Sequence, residues 1–342
     1  MFDPAGTAVR HICRMPQPMD AEADIIILSW NRVDETIAAV ASAAEQVDVE
    51  KRILIVDQGS KPENIAALEE YLKQVPCAEL RKLEHNVGVA AGRNHASAMG
   101  CSRYIIALDS DAVFADKHTV ARAVAHMNAN PNLCAIGFRI LNYFTRDNDP
   151  SSWDYPSERS PHQLFPSTRF VGAGHAIRRT TFEAVGGYDD RLFFCLEETD
   201  LCYRMLNTGM RIEYVPTATV LHKVSPENRV RWEEGRFFYT VRNTLYTLYK
   251  FETPLPRRAV AAAAFFVRGV RNRVPMQAAR GIVASAQLCH DFSRADHDKN
   301  VYRLRPETWD YIWQCEPSRR ESLLAKLRRQ LKVLPSQRTG SE

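Results

Sequence analysis

Two aspartates, Asp109 and Asp111, stand one residue apart directly after a continuous apolar run, Tyr104 to Leu108. An apolar run of this length with β-branched residues predicts a strand buried on both faces, which is typical of a parallel sheet. Residues two apart in an extended segment project to the same side, so both carboxylates can face one site. Two hard oxygen ligands suit Mg²⁺ or Mn²⁺ bridging a diphosphate. The same residues also suit an ordinary polar turn, and the rest of the chain has to decide between these interpretations.

Other polar residues follow the predicted strands nearby in the sequence. The first strand ends in Ser29, Trp30 and Asn31, and the second ends in Asp57. Because ligands in open α/β sheets bind outside the carboxyl ends of the strands, these residues are expected to share a pocket with the two aspartates. A carboxylate such as Asp57 can accept a hydrogen bond from the ring N–H of uracil or thymine. A plain turn is the alternative interpretation.

A glycine-rich segment, Asn86 to Asn94, precedes a predicted helix. A helix N-terminus of this kind suits phosphate groups, and Arg93 adds a fixed cation. The segment matches neither the dinucleotide-binding fingerprint nor the P-loop, which argues against a dehydrogenase and a P-loop enzyme.

Further along, Glu197, Glu198 and Asp200 form an acidic trio at the mouth of a predicted helix. Acids at a helix N-terminus are often only partners of the helix dipole. The functional alternative makes one of them a general base that deprotonates an acceptor hydroxyl. His222 ends another predicted strand, where an imidazole is either structural or part of a divalent-metal shell.

Composition places the chain among soluble proteins. It has 342 residues, of which 45% are hydrophobic and 25% charged, enough for one large or two modest domains. No apolar run approaches the roughly 20 residues of a membrane span, and the first 20 residues lack the apolar region of a signal peptide. Eight cysteines without a CxxC pair predict reduced thiols. We therefore predict a cytoplasmic location.

The charge is distributed unevenly. Residues 229–342 hold 22 Lys and Arg against 11 Asp and Glu, whereas the chain as a whole carries only +4. This basic third favours an anionic partner such as phosphate groups, nucleic acid or an acidic membrane face, with solvated helix faces as the alternative. Leucines at helical spacing in 319–334 are typical of an interfacial helix or of a packed helix with a basic outer face. The sequence has no nucleic-acid-binding motif, which disfavours nucleic acid.

The predicted elements divide the chain into three parts. Residues 1–22 form an irregular leader, and 23–228 alternate strands with helices, which predicts an α/β fold with a mainly parallel sheet and right-handed crossovers. Residues 229–342 form a helical, basic C-terminal region. Within the second part, periodicity is lost from 142 to 168, which predicts a long loop that carries Trp153.

The order of these motifs resembles that of family-2 glycosyltransferases of the GT-A fold, and among them the bacterial rhamnosyltransferase-like branch. Each motif alone is weak, but eight in family order are improbable by chance. The resemblance extends over about 24 to 250, and a late Val241-Arg-Asn243 also looks like a pair found in the family. The carrying segments are Ser29–Arg32, Val56–Ser60, Asn86–Asn94, Leu108–Asp111, Gly172–Arg178, Gly186–Asp189, Leu196–Leu201 and Val215–His222.

The resemblance implies an inverting transfer of a sugar from a UDP- or dTDP-linked donor to an acceptor hydroxyl, with Mg²⁺ or Mn²⁺ as cofactor. Asp111 and His222 would contact the metal, and Glu198 would be the base. The family's base is an aspartate, so the longer Glu198 leaves Glu197 as an alternative. The acceptor side would include Trp153, Gly174 and His175. The nucleotide sugar would be held by Ser29, Asn31, Arg32, Asp57, Arg93, Asn94, Asp109, Ser110 and Asp111.

The resemblance leaves the acceptor open among a glycan, a lipid-linked saccharide and a small molecule, and allows peripheral contact with the anionic inner face of a membrane. Two other classes remain. A nucleotidyltransferase would be expected to have a glycine-rich, lysine-containing loop after the first strand, where this chain has Trp30-Asn-Arg32. A non-catalytic sugar-nucleotide-binding protein would not need the retained acids, although retained residues do not prove turnover.

Overall fold

A single nine-stranded sheet organises the computed structural model, which describes residues 21–223, 235–294 and 299–316. Most of the predicted leader and the basic segment 319–334 lie outside the described residues. The strands are β1 Ala23–Ser29, β2 Lys51–Gln58, β3 Ala78–Leu83, β4 Tyr104–Leu108, β5 Ala112–Phe114, β6 Leu133–Asn142, β7 Phe165–Ser167, β8 Gly174–Arg178 and β9 Arg211–His222.

Ten α-helices connect and cover the strands in the described part of the chain. They are α1 Val33–Ala44, α2 Pro62–Leu72, α3 Gly88–Ser97, α4 Thr119–Ala129, α5 Arg179–Ala184, α6 Glu197–Leu206, α7 Phe237–Lys250, α8 Leu255–Arg271, α9 Pro275–Arg294 and α10 Pro306–Cys315. None of the helices that can be described is long and apolar enough to cross a bilayer.

The strand order confirms the predicted α/β fold with a mainly parallel sheet. The order is β3-β2-β1-β4-β8-β6-β9-β5, with β7 paired to β9. Neighbours among β3, β2, β1 and β4 are parallel, and β6 is parallel to β9. β8 lies between β4 and β6 and is antiparallel to both, so β4 and β6 point the same way. The carboxyl ends of six strands therefore face one edge of the sheet.

The apolar strands are buried on both faces, as their composition predicts. In β1, Ile25 and Ile27 join one core cluster whereas Ile26 joins another on the opposite face of the sheet. All five residues of β4 are buried. Two packed faces explain why these strands are continuous apolar runs and do not alternate with polar residues.

Two details of the sheet differ from the sequence prediction. The segments Arg211–Pro216 and Ala218–His222, predicted as two short strands around a proline turn, form the single strand β9. A register shift in the pairing of β9 with β6 absorbs the extra residues around Pro216, as a β-bulge does. The 142–168 stretch is a long connection, as predicted, except that β7 forms near its end.

The cysteines also depart in part from the prediction. Cys101, Cys134, Cys195, Cys202, Cys289 and Cys315 are free thiols, but Cys77 is disulfide-bonded. The prediction that the thiols are reduced is therefore wrong at Cys77.

Helix α7 is joined to the sheet domain by a buried group of charges. Lys250, at its end, is fully buried, and its Nζ lies 2.5 Å from both Asp189 Oδ2 and Asp200 Oδ1. Arg204 is also buried and pairs with Asp200 at 2.7 Å. Tyr246, on α7, donates a hydrogen bond of 2.9 Å to Asp189. Asp200, predicted as a helix-entry residue, is thus part of a charge network beneath α6.

Replacing Lys250 by Met is expected to destabilise the protein by about 3–5 kcal/mol, because Asp189 and Asp200 then lose the buried cation that they share. The free energy of unfolding in urea measures this effect. Lys73→Met is the matched control, since Lys73 is exposed and pairs with Glu70 only on the surface. That variant is expected to unfold like the parent. Equal stability of the two variants would contradict a structural role for the buried group.

Candidate active site

The sheet register brings the predicted site residues to one edge. Ser29 is aligned with Asp57, and Ile27 with Leu108, so Asp109 follows at the same level. On the other side of the edge, Ala112 of β5 is paired with His222 at the end of β9. Residues far apart in sequence therefore meet where parallel strands end, which is where ligands bind in such sheets.

Asp109, Asp111 and His222 form a cluster suited to a divalent cation. One ligand atom from each lies within 4.8 Å of the others. The remaining ring nitrogen of His222, Nδ1, is 3.7 Å from Asp149 Oδ2 and 3.3 Å from Ser152 Oγ. A metal-binding histidine usually donates its other ring N–H to a carboxylate, which fixes the orientation of the ring. Two carboxylates and an imidazole suit Mn²⁺ well, so the residues present fit the group that the resemblance implies.

Opposite charges surround the carboxylate of Asp111. Arg32 Nη1 lies 2.9 Å from Asp111 Oδ2, and His222 Nε2 lies 3.4 Å from Oδ1. Burial opposes ionisation of Asp111, but His222 and Arg32 outweigh it and lower the pKa of this carboxyl. Burial alone would lower the pKa of His222, whereas Asp111 and Asp149 raise it to about 9. The cluster is thus held by ion pairs between its own members and Arg32.

Asp57 organises the loops at one end of this edge. It is buried, and its two oxygens accept hydrogen bonds from the backbone N–H of Ser60 at 2.9 Å and from its hydroxyl at 2.5 Å. Ser60 Oγ in turn accepts from the backbone N–H of Asn31 at 2.8 Å. Ser29 is buried beneath, with its hydroxyl 3.4 Å from that of Thr36. The structure brings Ser29, Asn31 and Asp57 together; their contact with a nucleoside stays a prediction.

Arg93 connects the metal cluster to the acidic helix. Its guanidinium is buried and donates to Asp109 Oδ1 at 3.0 Å, to Glu198 Oε1 at 2.8 Å and to the Gly172 carbonyl at 2.9 Å. A Cβ on Gly172 would come within 2.5 Å of Glu198 Oε1, so a larger residue there would displace this carboxylate. Arg93 is held in place by carboxylates 16 and 105 residues away, and its predicted role toward phosphates stays a prediction.

The two candidate bases have different environments. Glu198 is partly exposed and is held by Arg93. Glu197 is buried, and its Oε2 has no hydrogen-bond partner among the residues that the structure describes. Burial, reinforced by the neighbouring Glu198, raises the pKa of Glu197 well above its ordinary value. The raised pKa keeps Glu197 protonated to a higher pH than an ordinary glutamate, and a protonated carboxyl cannot accept a proton, which favours Glu198 as the base.

A backbone turn with an unusual conformation carries both glutamates. Three residues just before α6, namely Phe193, Cys195 and Leu196, have positive φ although none is glycine. The side-chain amide of Asn243, on α7, donates to the carbonyls of Leu192, Phe194 and Cys195 at 2.7–2.8 Å. Non-glycine residues with positive φ persist only where their surroundings enforce them. Asn243 supplies that constraint.

The variant Asn243→Ala is expected to lower both stability and turnover. Three carbonyls lose a buried donor, which costs about 3 kcal/mol, and Glu198 loses its fixed position. Urea unfolding and a kcat measurement test this prediction.

Asn207→Ala is the control for Asn243→Ala. The amide of Asn207 donates to the carbonyls of Asn300, Val301 and Arg303, remote from the glutamates. A similar kcat for the two variants would contradict the positioning role of Asn243.

Asn94 and Ser110 differ in what surrounds them. The amide of Asn94 donates to the Tyr188 carbonyl and accepts from the Tyr188 N–H, each at 2.9 Å, so it ties α3 to the 186–189 turn. A hydrogen bond to Asp190 adds to this tie. Ser110 lies half-buried between the two aspartates of the cluster. The nucleotide-sugar roles predicted for both residues stay predictions.

The predicted acceptor residues are packed into the fold. His175 is fully buried and stacks on Phe170, and its nitrogens contact the Val171 carbonyl and the Tyr188 hydroxyl, both at 3.1 Å. Burial and the charge of Arg93 lower the pKa of His175 well below its ordinary value, so the ring is neutral. Both nitrogens are engaged, and this geometry opposes direct contact with an acceptor.

Gly174 and Trp153 also have structural surroundings. Gly174 lies in β8, where a Cβ would come within 2.9 Å of Val220. Trp153 is half-buried, with its ring centroid 5.0–6.2 Å from those of Tyr155, Phe165 and Tyr214. Trp153 thus anchors the long loop, and its role toward an acceptor stays a prediction.

Sequence reasoning did not identify three supporting residues. Asp149 backs His222, Tyr188 lies beneath the Arg93 guanidinium with its ring centroid 5.7 Å from Cζ, and Ser152 contacts the His222 ring. Two of them lie in the long loop, where a local pattern gives no indication of a distant partner.

Comparison with solved structures defines the class of fold. The mannosyltransferase PcManGT from Pyrobaculum calidifontis, solved with GDP-Man and Mn²⁺, is 16% identical and has a TM-score of 0.56 over 93% of this chain and 87% of its own. At that identity the likeness concerns the fold alone. The fold is the GT-A type of glycosyltransferases, as predicted.

Sequence comparison adds matches to known families and proteins. Residues 24–186 match the family model of Glycosyl transferase family 2. A pre-mycofactocin glycosyltransferase of Mycobacterium tuberculosis is 26% identical over 196 residues, which are 55% of this chain and 40% of the relative. An N-acetylglucosaminyl-diphospho-decaprenol L-rhamnosyltransferase of the same organism is 41% identical over 78 residues, 22% of this chain and 24% of the relative. The chain thus spans well under half the length of these relatives.

Proposed function

We propose that the protein transfers a sugar from a nucleoside-diphosphate donor to an acceptor hydroxyl, with inversion at the anomeric carbon. The observation that carries the proposal is the placement of Glu198 beside the Asp109–Asp111–His222 cluster, with Arg93 joining the two. A carboxylate base next to a site for a diphosphate-bound cation is the arrangement that a direct displacement needs.

The divalent cation would be held by Asp111 and His222, with Asp109 beside them. When bound, Mn²⁺ or Mg²⁺ would neutralise the charge that develops on the departing diphosphate. Asp149 and Ser152 would keep the His222 ring oriented, since they contact its other nitrogen. Arg32, now paired with Asp111, would be a further cation for the phosphates.

The remaining side chains would bind and orient the two substrates. Asp57 and Ser29 would face the base and ribose, with uridine or deoxythymidine as the proposed nucleoside. Glu198 would accept the proton of the acceptor hydroxyl as that oxygen attacks. Arg93 would set the direction of the Glu198 carboxylate, because it already holds one of its oxygens at 2.8 Å.

We infer a lipid-linked saccharide as the first acceptor to test, ahead of a free glycan or a small molecule. One relative is named for a diphospho-decaprenol acceptor, and the C-terminal third of the chain is basic. An acceptor in a membrane would place the enzyme at the anionic cytoplasmic face, in peripheral contact with it.

Thermal unfolding with UDP, dTDP, GDP and ADP, each with Mn²⁺, Mg²⁺ or EDTA, tests the site. A ligand that binds only the native state raises the midpoint, and at a hundredfold excess over Kd the gain is about 2.7 kcal/mol. We expect stabilisation by UDP or dTDP that disappears in EDTA. Release of the free nucleotide from the matching donor, and the anomeric configuration of the product by NMR, then test transfer and inversion. No stabilisation by any diphosphate would contradict the proposal, and binding without transfer would favour the non-catalytic alternative.

A further inference from the structure

Helix α8 has an apolar face that the rest of the described chain does not cover. Residues at positions 255, 259, 263, 266 and 270 are Leu, Ala, Ala, Phe and Val, and their spacing places them on one side of the helix. Leu255, Phe266, Val267 and Val270 are 44–67% exposed, and Met276, at the start of α9, is 70% exposed. We call these five exposed side chains the α8 face. Apolar side chains grouped in this way mark an interaction surface.

The opposite side of α8 is already occupied. Phe265 and Ala264 are buried, and Phe265 packs with Phe237 and Val241 of α7. Gly269 allows close contact with α9, because a Cβ there would come within 2.7 Å of the Ala278 Cβ. The α8 face is therefore not a surface that α7 or α9 would cover by a small shift.

The charged side chains on α8 and along most of α9 are of one sign. Between 253 and 290 the chain has six arginines and no aspartate or glutamate. Arg257, Arg271, Arg273 and Arg280 are exposed. An apolar stripe bordered by cations fits a partner that offers both anionic groups and an apolar interior, as an anionic phospholipid surface does.

The same charge disfavours two other occupants. A second copy of the chain would bring its own arginines against these. The segment 319–334 of this chain has six Lys and Arg and a single acid, so it would also meet like charge. An anionic lipid surface is the occupant that the charge favours.

Side-chain contacts connect α9, whose Met276 is part of the α8 face, with the turn before the glutamates. The Arg280 guanidinium lies over the Phe238 ring, with 5.7 Å between Cζ and the centroid. The next residue, Tyr239, stacks on Phe193 in the turn before the glutamates, with centroids 5.4 Å apart. A groove of about 750 Å³ beside Val283 is lined by Phe238 and Arg280.

We propose that the α8 face docks on an anionic phospholipid surface, with its apolar side chains inserted at the headgroup boundary and the arginines against lipid phosphates. This inference rests on the proposed function for its choice of acceptor, but docking itself requires no turnover. It assigns the membrane contact to α8 and the start of α9, and not to the segment 319–334.

Vesicle flotation of the full-length chain tests the proposal. One set of vesicles is phosphatidylcholine alone, and the other contains equal amounts of phosphatidylcholine and phosphatidylglycerol. We expect binding to the second set only, weakened by salt. The double variant Phe266→Ser with Val270→Ser is expected to reduce partitioning by at least about tenfold, and Arg271→Glu by about fivefold or more.

Matched controls make the same kinds of substitution, apolar to serine and arginine to glutamate, at exposed positions away from the α8 face. Phe144→Ser with Leu164→Ser removes two apolar side chains that are 70% and 50% exposed on the long loop. Arg103→Glu reverses an exposed arginine before β4. Both controls are expected to bind vesicles like the parent, and thermal midpoints verify that all variants fold.

Three results would overturn the proposal. These are no binding to anionic vesicles at low salt, full binding by the α8 double variant, and an equal loss in the control variants. A parent dimer that the α8 variant converts to a monomer, with no vesicle binding, would assign the face to a second copy instead. Failure of nucleotide stabilisation with intact vesicle binding would reject the proposed function and leave this inference standing.

Discussion

Asp111→Asn is expected to abolish metal-dependent stabilisation by the nucleotide and to lower the rate of sugar transfer by about 10³-fold. The substitution keeps the size of the side chain but removes the charge that Arg32 and His222 now balance. Without the negative charge of Asp111, the cation is bound less tightly at the diphosphate. The lost charge stabilisation raises the activation free energy of sugar transfer by several kcal/mol. Shifts of the thermal unfolding midpoint with UDP or dTDP and Mn²⁺ measure the loss of stabilisation, and initial rates measure the loss of transfer.

Asp116→Asn controls for the loss of a negative charge near the same strands. Asp116 follows β5 and pairs with Arg122 on the surface, away from His222. This control is expected to keep both nucleotide binding and transfer. If Asp111→Asn retains Mn²⁺-dependent binding of the nucleotide, the metal cluster is assigned incorrectly. Unfolding midpoints without ligand separate this result from a failure to fold.

Glu198→Gln is expected to reduce kcat by about 10²–10⁴-fold while nucleotide binding is kept. The amide cannot accept the proton of the acceptor hydroxyl, whereas it can still accept a hydrogen bond from Arg93. Donor binding does not require the base, so stabilisation by the nucleotide and metal should be close to that of the parent. Unchanged turnover would remove Glu198 from the mechanism.

Glu197→Gln is the paired control, and it has its own pH signature. The pKa of Glu197 is raised by burial above its ordinary value of 4.5. As the pH rises above that value, the unfolded chain releases a proton that the native state retains, and stability falls. Glutamine removes this cost. The variant is expected to unfold at a higher temperature than the parent at neutral pH, to match it at low pH and to retain most of its activity. A large loss of kcat would instead make Glu197 the base.

The sheet and its functional edge were predictable because their signals are local. Continuous apolar runs ending in polar residues identify β1, β2 and β4, and parallel strands that share one edge bring Ser29 and Asp57 together whatever the loops do. The pairing of Asp111 with His222 was predictable only from the order of motifs in a resembling family. No spacing in this chain alone brings those two residues together.

Other features depend on contacts that a local pattern cannot indicate. Arg93 is in a glycine-rich segment that suits phosphates, yet its partners are Asp109 and Glu198. The acceptor role of His175 stays a prediction, but its burial against Phe170 and Tyr188 was not predictable, since it arises from tertiary packing. Leu196 has a positive φ although it is not a glycine, so the sequence does not indicate this conformation. Asn243, on another helix, stabilises it through the Cys195 carbonyl.

The buried group around Lys250 has a consequence for recombination between this chain and its relatives. The family match ends at residue 186, but Glu198 follows it, and the turn that carries Glu198 is fixed by α7. Consider a recombinant of this chain's first 186 residues and the remainder of a relative. It would contain Asp109 and Asp111 but would lack this chain's α7, which fixes the turn before Glu198. Viable crossovers between relatives should therefore fall after residue 250. The region matched by sequence similarity, residues 24–186, is therefore shorter than the segment that has to be exchanged as one unit.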